Sequence, residues 1–204
     1  MTMQGSALVI VGSAIPFLGD ISYIRDILKK QTQPNRVSWL MWGISTLLVA
    51  FDQVHQGVGM IAMFSFAIAI GDILVFSASF VRGKGIWRLS SFDIACGIAS
   101  ALGLLVWTLT DNDTVALCAF MAADVLATIP TLKKSWSSPE SESIAPYAAT
   151  VLSSILVLSA VQVWTSGAVA FSVWLLAINL LLIFFISSKI GRKLRPKKAR
   201  ALRV

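Results

Sequence analysis

Charge is what this sequence has little of. Asp, Glu, Lys and Arg make up 13% of its 204 residues, against about 25% in a soluble domain, and the mean hydropathy is +0.79. So little charge cannot clothe a water-soluble surface, and the chain reads as a membrane protein. Histidine is nearly missing too. The single His55 stands in the polar connection DQVHQG, which excludes a histidine metal cluster. The two cysteines, Cys96 and Cys118, fall inside apolar blocks, so no structural disulfide framework is indicated. No apolar block alternates in polarity with the period of a membrane strand, which excludes a β-barrel. No deep Ser or Cys has a visible base beside it, so the chain reads as no enzyme and needs no cofactor.

What is present is a series of apolar blocks, at 6–28, 37–53, 58–81, 91–110, 114–132, 144–164 and 167–188. Each approaches the roughly 20 residues a helix needs to cross a hydrocarbon core, and helices are the spanning option that remains. The fold expected is therefore all-α, with seven transmembrane helices. The first block has no positive region before it and reads as a retained helix rather than a cleaved signal.

All 17 Lys and Arg cluster at the odd connections and the tail. Arg25, Lys29, Lys30 and Arg36 flank the first connection, Arg82, Lys84 and Arg88 fill the third, and Lys133 and Lys134 open the fifth. The rest run from Lys189 to Arg203. The even connections carry none. By the positive-inside rule this places the N-terminus outside and the C-terminus in the cytoplasm, as an odd helix count requires, and the membrane expected is the plasma membrane. The tail KIGRKLRPKKARALRV lacks aromatics to stack on bases, so it reads as an anchor touching anionic lipid and not as a nucleic-acid arm.

The sequence repeats itself. GDISYIRDILKK, from Gly19 to Lys30, lies over ADVLATIPTLKK, from Ala123 to Lys134, and matches Asp20 to Asp124. One inserted residue then matches Pro34 to Pro139 and Ser38 to Ser143. The third block lies more weakly over the seventh, with Gly71 opposite Asn179. Two parallel three-helix units need one helix between them to return the chain, and the fourth block has no partner in the pairing. The organisation read from this is 1–88 as a first unit, 89–112 as a linker helix, 113–188 as a second unit and 189–204 as a basic tail. Parallel repeats with a site between them recur in membrane transporters.

Acidic groups inside spans are costly, about 2.5–3.5 kcal/mol at the centre on translocon scales, and usually face a cavity or partner. Asp20 lies nine residues before Lys29, Asp124 nine before Lys133 and Asp72 ten before Arg82, while Asn179 lies ten before Lys189. At 1.5 Å per residue all four sit about 14 Å from the same boundary. No Lys, Arg or His shares that depth. These carboxylates must share protons or meet a cation the sequence does not supply, or else hydrogen-bond neighbouring helices as glue. Pro16 and Pro130, inside spans, are candidate hinges. Trp39, Trp42, Trp87, Trp107, Trp136 and Trp164 are placed at the membrane interfaces as an aromatic belt. Trp174, about one turn outside Asn179, is placed near a pocket.

A three-one-three plan with a basic turn after the first and fifth helices resembles the SWEET and PQ-loop superfamily of small-solute transporters. IPTLKKSW, from Ile129 to Trp136, looks like a degenerate PQ motif with Pro130-Thr131 where Pro-Gln is usual, and the first copy has Arg25-Asp26 there. The resemblance implies a solute pocket lined by asparagines of the third and seventh helices. Asn179 stands at the second of these positions, and Gly71-Asp72 at the first departs from it. Membrane aspartates resemble those of the lysosomal PQ-loop amino-acid exporters, which implies a proton-linked or cationic solute. Vitamin transporters of the nicotinamide riboside type share the plan.

The function expected is alternating access of a small polar solute, bound by Asp20, Asp72, Asp124, Asn179 and Trp174. A receptor or sorting protein of the same seven-helix plan is the alternative, and a homo-oligomer stays open. A retinal protein is excluded because the seventh block has no lysine before Lys189.

Overall fold

The computed structural model describes residues 3–81, 88–110 and 112–191. Arg82, Lys84 and Trp87, and the tail from residue 192 onward, lie outside the described residues. The regular structure is helical: α1 (Met3–Leu28), α2 (Arg36–His55), α3 (Ile61–Ala78), α4 (Ser91–Leu109), α5 (Asp113–Ser137), α6 (Ala145–Ala160) and α7 (Ser166–Ser188), with a 3₁₀ turn at Pro139–Ser141. Five of these, α1, α2, α3, α4 and the Ala168–Ser188 stretch of α7, are long and apolar enough to cross a membrane. The chain is a multi-pass helical membrane protein.

Side chains set the helix ends. Asn35 accepts the Val37 and Ser38 amides and starts α2. Ser90 and Asp93 form a reciprocal capping box on α4, Asn112 accepts from Val115 at α5, and Thr165 caps α7. The sequence pattern starts the third helix at residue 58. In the structure it starts at Ile61, because Gly57 and Gly59 adopt φ of 71° and 67° and turn the chain first. The sixth block stops at Ala160, short of residue 164, and the fifth runs on to Ser137, beyond residue 132.

In the packing, α3 touches both α1 and α2, and α7 touches both α5 and α6. Helix α4 lies on α5 and α2. Contacts across the middle join α1 to α6 and α2 to α5. The α1–α6 crossing is close because glycines lie on it. A Cβ on Gly12 would meet Val157 Cγ2 at 2.9 Å, and one on Gly19 would meet Ala149 Cβ at 2.7 Å. Small residues at such a seam let backbones approach where lipid offers no hydrophobic drive.

Pro16 sits inside α1 and has no amide to give the Gly12 carbonyl. Ser153 Oγ of α6 donates to that carbonyl instead. Beside Pro130, inside α5, Ser38 Oγ of α2 donates to the Ala127 carbonyl at 2.6 Å. Both prolines are buried at helix–helix contacts. Ser153→Ala leaves the Gly12 carbonyl unpaired in a water-free interior, and the expected loss is about 1–3 kcal/mol, measurable by denaturation in detergent. A loss below about 0.5 kcal/mol would show that the carbonyl finds another donor.

Candidate functional site

Asp20, Asp72, Asp124 and Asn179 line one cavity. They arrive from α1, α3, α5 and α7, and each is more than nine-tenths buried. The cavity is narrow, with a volume of about 40 Å³, and partly open. Its other walls are Trp39, Trp42 and Thr46 of α2, Ile68 of α3, Pro146, Tyr147 and Thr150 of α6, and Leu175, Ile178 and Leu182 of α7. Among the described residues no Lys, Arg or His lines it.

The two repeat-related aspartates are held differently. Asp124 Oδ2 accepts a 2.7 Å hydrogen bond from Trp174 Nε1. Its backbone carbonyl accepts from Thr128 Oγ1 at 2.8 Å, and Thr128 in turn accepts from Trp42 Nε1 at 3.0 Å. Trp174 therefore stands behind Asp124 and orients it, and does not itself line the cavity. The Asp20 carboxylate accepts no hydrogen bond among the described residues, and neither does that of Asp72. Asp72 lies within electrostatic reach of both Asp20 and Asp124. Thr46, only 3% exposed, also lines the cavity. Asn179 Nδ2 donates to the Leu175 carbonyl at 2.8 Å, which leaves its Oδ1 turned to other use.

Gly71 explains where the Asp20 carboxylate lies. A Cβ at Gly71 would fall 2.0 Å from Asp20 Oδ2 and 3.0 Å from its Cγ. The carboxylate occupies the space that a side chain on α3 would fill. Gly71→Ala is expected to re-aim Asp20 while leaving stability within about 1 kcal/mol, because only the end of one side chain must move. Thermal denaturation in detergent checks this, and a loss well above about 1 kcal/mol would show that the α1–α3 contact itself must shift.

Trp39 and Trp42 depart from the sequence expectation of an interfacial belt. Trp39 is 2% exposed. Its ring lies 4.9 Å from Tyr23 and 5.4 Å from Trp42, and Tyr147 stands 6.5 Å from each tryptophan. Trp39, Trp42 and Tyr147 form the wall of the cavity toward the end that carries the basic connections, and Tyr23 packs against Trp39. The physical reason is the helix start at Arg36, which puts positions 39, 42 and 46 on one inward face. That spacing was visible in the sequence as a face of α2. Trp107 is partly buried beside Phe120, whereas Trp136, beside Phe185, and Trp164 are exposed.

At the other end of the cavity, one turn beyond Ile68, Asp124 and Leu175, lie Phe64, Phe120 and Phe171. Their rings pack at 6.3 Å and 6.1 Å around Phe171 and close that end with apolar contact. Among the described residues no group of three or more His, Cys, Asp or Glu is arranged to hold a metal ion.

No protein-family model, curated protein or solved structure matches the chain.

Proposed function

We propose that the chain transports a small polar solute by alternating access, with the solute bound at the Asp20, Asp72, Asp124 and Asn179 level between two three-helix units. The observation that carries this is the convergence of four polar side chains, spaced across the repeat, on one cavity that no Lys, Arg or His lines among the described residues. Carboxylates kept inside a membrane without a partner are expensive. A proton or a cationic group of the solute compensates them.

The helix contacts support the two-unit reading. Exchanging α1, α2 and α3 for α5, α6 and α7 turns the α1–α6 contact into α5–α2, and the α2–α7 contact into α6–α3. All four contacts are present. A two-fold relation of this kind lets one unit rock on the other about the central site. Helix α4 returns the chain between them and packs outside the seam, on α5 and α2. The Gly12 carbonyl that Pro16 leaves without a helical donor is bonded from α6, and the Ala127 carbonyl, next to the Leu126 carbonyl that Pro130 frees, is bonded from α2. Both prolines are proposed as the bending points. In this reading the basic end of the bundle faces the cytoplasm, in the plasma membrane, and the tail meets anionic lipid.

The test is flux. Purified protein in liposomes is expected to take up a small organic cation, or to accumulate a neutral polar solute when a proton gradient is imposed. Uptake that stays at the level of empty liposomes for amines, amino acids, vitamins and sugars, with and without that gradient, rejects transport. It would leave the receptor reading, for which loss of partner binding on removal of residues 192–204 is the corresponding measurement.

A further inference from the structure

The two connections that the sequence repeats meet at the basic end of the cavity, and a buried polar network joins them. Lys134 Nζ pairs with Glu142 Oε1 at 2.5 Å, and both side chains are fully buried. Lys134 also donates to the Gln33 carbonyl. Glu142 Oε2 accepts from Tyr23 Oη at 2.7 Å and from Tyr147 Oη at 3.3 Å. The Gln33 amide donates to the Ser141 carbonyl at 3.0 Å. Both tyrosines of the chain therefore end on one carboxylate.

The ownership of these groups is what matters. Lys134, Glu142 and Tyr147 all belong to residues 113–188, whereas Tyr23 and Gln33 belong to residues 1–88. Within this network the bonds that cross the seam are Tyr23 to Glu142, Lys134 to Gln33 and Gln33 to Ser141. The two charges lie on the same side of it. If the units part here, the ion pair stays together and only hydrogen bonds break, so the move does not strand a charge in a dry interior. The opposite end is closed by apolar contact among the Phe64, Phe120 and Phe171 rings. Buried polar networks tend to be either fully made or broken, which suits a two-position element.

Tyr147 touches both places: it lines the cavity and donates to Glu142. We infer that the Lys134–Glu142 pair with Tyr23 and Gln33 is the gate at the basic end of the cavity, and that Tyr147 couples it to what the cavity holds. A solute with a hydrogen-bond acceptor that reaches Tyr147 Oη draws it from Glu142 and loosens the network from the inside. This purpose rests on the transport reading, but the network's opening is measurable without flux.

The experiment places one reporter cysteine in the cavity, Thr46→Cys, with Cys96→Ser and Cys118→Ser removing the two native thiols. A small membrane-impermeant thiol reagent is applied separately from each side of sealed vesicles. The side of the basic end is identified by labelling of a Lys29→Cys control. Tyr23→Phe keeps the ring and removes the hydroxyl, and it is expected to raise reporter labelling from that side about tenfold without changing labelling from the other. Tyr147→Phe, which loses the longer bond, is expected to raise it less. Unchanged labelling in both variants overturns the gate, and so does an equal rise from both sides, which reports general loosening. Increased one-sided labelling without flux of any solute retires the transport reading and leaves the gate standing. Flux with unchanged labelling does the reverse.

Discussion

Lys134→Met is expected to destabilise the folded protein by about 3–5 kcal/mol, the cost of leaving one member of a buried ion pair alone. Glu142 then has lost its cation while remaining fully enclosed with two tyrosines directed at it. Glu142→Ala should cost as much, since it strands Lys134 and leaves the Tyr23 hydroxyl without its acceptor. Replacing both, Lys134→Met with Glu142→Leu, should recover most of the loss, because apolar groups of similar size often match a buried pair in stability. Denaturation in detergent, run on the two single variants and the double, measures the set. If each single variant stays within about 0.5 kcal/mol of the parent, the pair is solvated in the folded protein and its description as buried fails. The recovered double variant should also separate folding from gating, since it restores stability without restoring the bonds to Tyr23 and Gln33.

The other large effect belongs to Asp20. Its carboxylate has no donor and no cation among the described residues, so on the proposed transport reading what compensates it comes with the solute or as a proton. A hydrogen bond to a charged group is worth about 1.5–3 kcal/mol, which is about 10- to 150-fold in uptake. Asp20→Asn keeps the shape and removes the charge. For a cationic solute its uptake should fall by that factor. For a neutral solute moved with a proton, accumulation driven by a pH gradient should disappear while exchange at equal pH survives. Asp124→Asn should act more weakly on exchange, since the amide oxygen can still accept from Trp174 Nε1. Uptake that is unchanged in the Asp20→Asn, Asp124→Asn double variant removes the site from the aspartates altogether.

The depth of Asp20, Asp72, Asp124 and Asn179 was legible in the sequence because helices rise by a fixed step. Counting from the basic boundary put four residues on one level, and in the structure they share a cavity. What counting along a helix cannot supply is rotation about its axis relative to the neighbours. Trp174 has the right height, yet it points at Asp124 from behind the wall. Trp39 and Trp42 have the composition of an interfacial belt, yet they face inward beside Tyr23 and Tyr147.

The adjacent lysines of α5 carry the same lesson. A step of about 100° between successive residues sends Lys133 over the Phe92 ring of α4, at 3.9 Å, and sends Lys134 into the core beneath Glu142. In sequence the two are one topology signal. Likewise Arg36 does more than mark a boundary: its guanidinium donates to Ser79 Oγ and to the Ser79 carbonyl, at 3.0 Å and 2.8 Å, and covers the Phe80 ring at the end of α3.

Composition and spacing alone determined that this protein is a helical bundle in a membrane, with its charges at the helix ends and three carboxylates at mid-depth. Those properties follow from the cost of bare backbone and bare charge in hydrocarbon, which acts on each segment separately. Only the tertiary structure decided which faces meet. It put Asp20 in the gap above Gly71, tied Asp124 to Trp174, and buried Lys134 with Glu142 under two tyrosines. The reason is that lipid gives helices no hydrophobic instruction about how to rotate. Close-packed glycines and serine-bonded carbonyls choose the seam, and each of these needs a partner from the other half of the chain.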